Sequence, residues 1–160
     1  MGYTIEPRKG RKTMAHTFTK HHLHAVFSTK QRAKLISKDL QERLWQYLTG
    51  ICQNIDLVPV AMGGMEDHVH MLFHLPPSRS LGDAMRLIKT NSSRWMNDHG
   101  RGFAWQEGYG AFAVSASMLG KVVRYIHSQE MHHRKMSFEE EYLGLLKKHG
   151  VEFDPRFVFD

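Results

Sequence analysis

The sequence predicts an α+β fold of the ferredoxin-like kind, an antiparallel sheet with helices on one face, and three observations carry that expectation. Apolar residues recur at helical spacing over 39–54, 80–97 and 117–133. Short β-branched and aromatic runs lie between them at 21–28, 57–62, 68–75 and 112–115. The resulting order is strand, helix, strand, strand, helix, strand, helix, in which two crossover helices cover one face of four strands and leave the other face available.

Each element has its own signal. The run at 21–28 is compact and partly aromatic, as a first strand should be. Leu40, Leu44, Leu48, Ile51 and Ile55 then form an apolar stripe with Lys38, Glu42 and Arg43 outside it. Residues 57–62 read as a strand, Gly63 and Gly64 as a turn, and 68–75 as a strand closed by Pro76 and Pro77. Ser80 followed by Asp83 caps a helix whose buried side would include Leu81, Met85, Ile88 and Trp95. A glycine-rich loop over 100–110 and a short strand lead to a helix with Leu119, Val122, Val123 and Ile126 on its apolar face. Ser137 with Glu140 forms a capping box, opening a last helix that Gly150 stops. Residues 1–13, with Arg8, Lys9, Arg11 and Lys12, lack periodicity and read as a flexible basic tail ahead of one domain at 14–160. Met14 is an alternative start of translation.

Bulk properties narrow the function. The 160 residues, 41% of them hydrophobic, are enough for one domain with a real core. Lys and Arg number 22 against 16 Asp and Glu, a net charge of +6, and the pI is about 9.5. Such a balance favours a polyanionic partner, nucleic acid or an anionic membrane surface. No stretch is apolar enough to span a bilayer, and the N-terminus lacks the apolar core of a signal peptide, so the expected location is cytoplasmic, with nucleoid association when bound to DNA. The single Cys52 excludes an internal disulfide and a thiolate zinc cluster, so any metal must be held by His, carboxylate or amide groups.

The run Asp67-His68-Val69-His70-Met71-Leu72-Phe73-His74 is the most informative. Side chains alternate along a strand, so Val69, Met71 and Phe73 face the core while His68, His70 and His74 share the other face. Two imidazoles two residues apart sit close enough to share one divalent ion, although strand histidines without a role show the same spacing. On the tyrosine-bearing helix, Tyr125 and Gln129 lie four apart, one above the other. Tyr125 taken alone is also what a rim residue of an amphipathic helix looks like.

Taken together these segments resemble the HUH endonucleases with one tyrosine, specifically the insertion-sequence-200-like and REP-associated tyrosine transposases. The likeness runs from about residue 16 to 160 and includes residues 24–30, Glu66-Asp67-His68-Val69-His70, 88–95, 103–112 and Tyr125-Ile126-His127-Ser128-Gln129. The resemblance implies Tyr125 as the nucleophile and His68, His70 and Gln129 as metal ligands, with Mg²⁺ or Mn²⁺ as the ion. It also implies cleavage and rejoining of single-stranded DNA at hairpin-bearing ends through a 5′-phosphotyrosine. Members are homodimers in which the tyrosine helix of one subunit can complete the site of the other. The extended N-terminus departs from that family's core.

DNA contacts would draw on Lys30 and Arg32 after the first strand and on Arg86, Lys89 and Arg94 of the second helix, with Trp105 and Tyr109 as stacking surfaces. The same cations also fit the solvated side of amphipathic helices, and Trp105 fits a core. His127, His132 and His133 cluster near one helix end, where the helix dipole accounts for them equally well. Lys121, one turn before Tyr125, could lower its phenol pKa; no residue is identified as the base. Two other readings remain at this stage: a domesticated enzyme acting on chromosomal palindromes, and a non-catalytic nucleic-acid-binding module of the same fold.

Overall fold

The computed structural model describes residues 17–159, and the basic tail read at 1–13 lies outside the described residues. Four strands, β1 (His22–Ser28), β2 (Val58–Gly64), β3 (His68–His74) and β4 (Gly110–Val114), form one antiparallel sheet in the order β2-β3-β1-β4. Helix α1 (Lys38–Asn54) connects β1 to β2, and α2 (Leu81–His99) connects β3 to β4. This is the α+β, ferredoxin-like arrangement that the element order predicts.

The two crossover helices pack on one face. Leu23, Ala25 and Phe27 of β1 and Val69, Met71 and Phe73 of β3 meet Leu44, Leu48 and Ile51 of α1 and Ala84, Met85 and Ile88 of α2 in the main core. Both helix starts follow a Ser in extended conformation, and Ser80 Oγ accepts from the Asp83 amide at 3.1 Å. Trp105 also belongs to this core, edge-on to Phe27 and Phe103 and donating its indole N–H to Ser92 Oγ at 2.9 Å. No helix among the described residues is long and apolar enough to cross a membrane.

The opposite face is not left open, and here the structure corrects the sequence reading. Three further helices cover it: α3 (Leu119–His127), the short α4 (Gln129–His132) and α5 (Phe138–Lys148). Ile126 of α3 packs on Ala61 and Leu72, with Leu119, Val122 and Val123 around it. Phe138, Tyr142 and Leu146 of α5 pack on Val26 and Phe112. His24, His68 and His70 thus lie in a furrow between α3 and α5, and His68 and His70 have no exposed surface. Both faces of the central strands are covered, which is why β1 is buried along its whole length.

Two local differences from the sequence reading have physical causes. The helix expected over 117–133 breaks at Ser128 (φ −103°, ψ 23°). There the Ser128 hydroxyl and the Gln129 side-chain amide both bond the Tyr125 carbonyl, at 3.2 and 3.4 Å. Side chains compete for the acceptor that a continuous helix would give to the backbone. Gly63 and Gly64 lie in β2 rather than in a turn, and the turn falls at 65–67.

Gly63 sits beneath α3. A Cβ there would land on the Ile126 carbonyl oxygen and 3.0 Å from Ile126 Cγ2, so the close approach of helix to strand requires glycine. Gly63→Ala should therefore destabilise the chain by ~1–3 kcal/mol in thermal denaturation, the range of an overpacked core position. It should also displace Tyr125, because the same helix carries both contacts.

Candidate active site

Strand alternation brings His24 of β1 and His68 and His70 of β3 to one face, with Ser28 opposite His68 and Val26 opposite His70 in the register. The break after α3 turns Gln129 inward, where it is 2% exposed and its Oε1 lies 3.1 Å from His68 Nε2. Tyr125, one turn earlier, places its ring against His70 and His24, with centroids 5.7 and 6.1 Å apart. The four residues that the resemblance singles out therefore converge within one chain.

The outer nitrogens of the histidine pair are tied down. His68 Nδ1 is 2.7 Å from Asp67 Oδ1, and His70 Nδ1 is 2.9 Å from His24 Nε2. Both Nε2 atoms point into the furrow. A neutral ring that donates Nδ1–H to a fixed partner would present a lone pair at Nε2, the arrangement by which proteins orient imidazoles toward a metal; where His70 instead donates Nε2–H to Glu141 it takes the other tautomer, with Nδ1 accepting from His24. The donor chemistry, two imidazole nitrogens and an amide oxygen, fits a divalent ion.

Two further groups complete the furrow. Glu141 of α5 sets Oε1 2.8 Å from His70 Nε2 and 3.8 Å from His68 Nε2, while its Oε2 accepts a hydrogen bond from the Tyr125 hydroxyl. His133 Nε2 lies 3.0 Å from Gln129 Oε1 and 3.4 Å from Glu141 Oε1. One ligand atom from each of His68, His70, His133 and Glu141 falls within 4.8 Å of the others.

The electrostatics follow from this crowding. Burial, then the neighbouring His70, pushes His24 down to about 3, so it is a neutral ring. Burial also lowers His70, against the pull of Glu141. Burial alone would raise Glu141, but hydrogen bonds from His133, His70 and Tyr125 outweigh it and hold the carboxyl well below the usual range. Burial, and after it the bond to Glu141, pushes the Tyr125 phenol well above its ordinary value. The nucleophile candidate is thus held protonated, donating its O–H to Glu141 Oε2.

The other sequence candidates are dispersed. Lys30 and Arg32 follow β1 at the end of the sheet that holds His68; Lys30 is exposed, and Arg32 pairs with Glu139 at 2.8 Å. Arg86, Lys89 and Arg94 belong to α2, on the opposite side of the sheet from the histidines. Arg86 and Lys89 border a cleft of about 600 Å³ against the 104–109 loop, where Tyr109 also lies. Lys89 donates to the carbonyls of Gln106, Glu107 and Gly108 at 2.5–2.9 Å, so it anchors that loop, and burial lowers its pKa to about 8. Lys121 and His127 are exposed, whereas the His132 ring lies 4.6 Å from that of Tyr125.

Sequence reasoning missed Glu141, His133, His24 and Asp67 as parts of the site. Signals existed for two of them. His133 is four residues after Gln129, and Glu141 sits three after Phe138 and four before Leu145, on the apolar side of its helix. A carboxylate on a buried stripe asks for a partner.

The chain is similar to known proteins in sequence and in fold. The chain belongs to the family described as IS200-like transposases, which matches residues 17–129. It is 25% identical over 137 residues to the ISDra2 transposase TnpA of Deinococcus radiodurans, covering 81% of this chain and 97% of that one. It is 28% identical over 82 residues to the transposase for insertion sequence element IS200 of Salmonella typhimurium, of which it spans about half, 54%. Among solved structures, a Deinococcus radiodurans R1 protein described as a transposase superposes with a TM-score of 0.56 at 25% identity, over 77% of this chain and 98% of the other. A REP-associated tyrosine transposase bound to a REP hairpin shares the fold, with a TM-score of 0.55 at 16% identity over 75% of this chain and 74% of the other. Membership in the family makes the chain a DNA-processing enzyme of the transposase kind.

Proposed function

We propose that the chain cuts and rejoins single-stranded DNA at hairpin-bearing ends through a covalent bond to Tyr125, with His68, His70 and Gln129 holding a divalent ion, Mg²⁺ or Mn²⁺. The observation that carries this reading is that the Tyr125 hydroxyl reaches the same furrow as the paired histidines and Gln129. Packing alone gives no reason to gather a phenol, an amide and two oriented imidazoles around one point.

A phosphodiester repels an oxyanion nucleophile, and a bound divalent ion supplies the positive charge that makes attack feasible. His68 and His70 contribute neutral Nε2 donors, oriented by Asp67 and His24, and Gln129 adds an amide oxygen. Tyr125 gives up its proton and attacks phosphorus, forming a 5′-phosphotyrosine and releasing a 3′-hydroxyl. Attack by a second 3′-hydroxyl on that phosphotyrosine rejoins strands without ATP, because the covalent bond keeps the energy of the broken linkage. One tyrosine holds one end, so processing two ends asks for two chains, and we infer a homodimer as the working unit. The hairpin held by the REP-associated neighbour supports a folded single strand as substrate. Contacts from Lys30, Arg32, Arg86 and Arg94 are proposed to be mostly to phosphates, while Lys89, whose three donors are taken by backbone carbonyls, acts through the loop it anchors.

The test is incubation with single-stranded flanking DNA and a divalent ion. Cleavage with a protein–DNA adduct, abolished by EDTA, is expected; no cleavage of any hairpin-bearing strand would count against the reading. Binding should also weaken steeply as salt rises, and a blunt duplex of the same sequence should compete poorly. Equal competition by the duplex would indicate an ordinary double-strand binder.

A further inference from the structure

We propose that Glu141 is an additional, anionic donor of the metal site, with one carboxylate oxygen on the ion and the other on the Tyr125 hydroxyl. This inference rests on the metal-dependent reading above and deepens it. The family match ends at residue 129, so the group comes from a helix beyond the matched segment.

Three observations carry it. First, the separations suit donors to one ion. With metal–ligand bonds of about 2.1 Å, adjacent donors lie on the order of 3 Å apart. His70 Nε2 to Glu141 Oε1 is 2.8 Å, His68 Nε2 to Gln129 Oε1 is 3.1 Å, and His68 Nε2 to Glu141 Oε1 is 3.8 Å. Second, Glu141 is 4% exposed, and among the described residues its carboxylate is partnered by His68, His70, His133 and the Tyr125 hydroxyl rather than by a Lys or Arg. Those partners leave a buried negative charge facing the two Nε2 atoms, the charge that a divalent ion in the furrow would match. Third, the position is fixed from outside the site. The Ser137–Glu140 capping box sets the start of α5, and Phe138 and Tyr142 seat the helix on Val26 and Phe112, which aims Glu141 into the furrow.

The consequence is a direct tie between ion and nucleophile. The carboxylate that accepts the Tyr125 hydroxyl would also touch the ion, so ion and nucleophile share one anchor. An added carboxylate also makes the site harder and favours Mn²⁺ or Mg²⁺ over softer ions.

Mn²⁺ binding to the full chain, followed by the loss of its free-ion electron paramagnetic resonance signal, tests the proposal without any turnover. Glu141→Gln should weaken Mn²⁺ binding at least ~10-fold, the lower end of what loss of a group supporting a metal site costs. His68→Ala should lose binding as well, and Tyr125→Phe should stay within about twofold of wild type, since it lies outside the donor set. As a check that needs no substitution, infrared difference spectra of the wild-type chain carrying ¹³C-carboxyl glutamate should show a glutamate carboxylate band shifting when Mn²⁺ is added. Glu141→Gln binding Mn²⁺ as wild type does while His68→Ala fails, or no glutamate band moving, would overturn this proposal and leave the histidine–glutamine site standing. If wild type and His68→Ala bind equally, or neither binds, the metal reading itself falls and this proposal with it.

Discussion

Tyr125→Phe is expected to abolish strand cleavage and covalent adduct formation, a loss on the order of 10⁴-fold or more, as for other removed nucleophiles. The phenol oxygen is the only atom lost, and the ring contacts with His70, His24 and His132 remain. The change is not free of structural cost, because Glu141 Oε2 loses its donor. A destabilisation of about 1–2 kcal/mol is expected for a buried hydrogen bond whose acceptor stays behind. DNA binding should persist, which separates the chemical role from a binding role. Because Tyr125 lies on the histidines of its own chain, mixing Tyr125→Phe with His68→Ala should restore no cleavage. Rescue in the mixture would instead show that the tyrosine helix is exchanged between subunits.

Replacing His68 or His70 by Ala is the second large effect, and it acts on two levels. Cleavage should be lost with the ion. Stability should also fall by ~2–4 kcal/mol, since each ring is fully buried and its removal leaves a cavity and partners short of a hydrogen bond. His70→Ala removes the partner of His24 Nε2 and one of the partners of Glu141 Oε1; His68→Ala removes one partner each from Asp67 and from Gln129, whose Oε1 keeps His133. An open-face position, as the sequence suggested, would have tolerated either change. EDTA on the wild-type protein separates the two levels: it should stop cleavage without the loss of stability that the alanine variants show by thermal denaturation. Alanine variants that melt with wild type would mean that the furrow is open in solution.

The sheet was legible in the sequence because period-2 alternation over 68–75 sorts Val69, Met71 and Phe73 from the histidines whatever covers them. The serine caps were equally legible, since Ser80 and Ser137 act on amides three residues away. The covering of the histidine face was not. Strands buried on both sides and strands open on one side differ in what lies across from them, and α5 reaches the sheet from a distant part of the chain. Glu141 was hidden in the run Glu139-Glu140-Glu141, where helix-start acids are expected in any case. The break at Ser128 escaped notice because the apolar stripe ends at Ile126, and the competing bonds to the Tyr125 carbonyl exist only once Gln129 turns inward.

The most direct test of the central claim is to trap the reaction of the wild-type chain with a single-stranded, hairpin-bearing DNA in the presence of Mn²⁺, digest the products, and locate the modified peptide by mass spectrometry. The account predicts one adduct, a 5′-phosphate ester on the Tyr125 oxygen, absent with EDTA and absent from Tyr125→Phe. Cleavage that proceeds unchanged in Tyr125→Phe, or an adduct on any other residue, would contradict it.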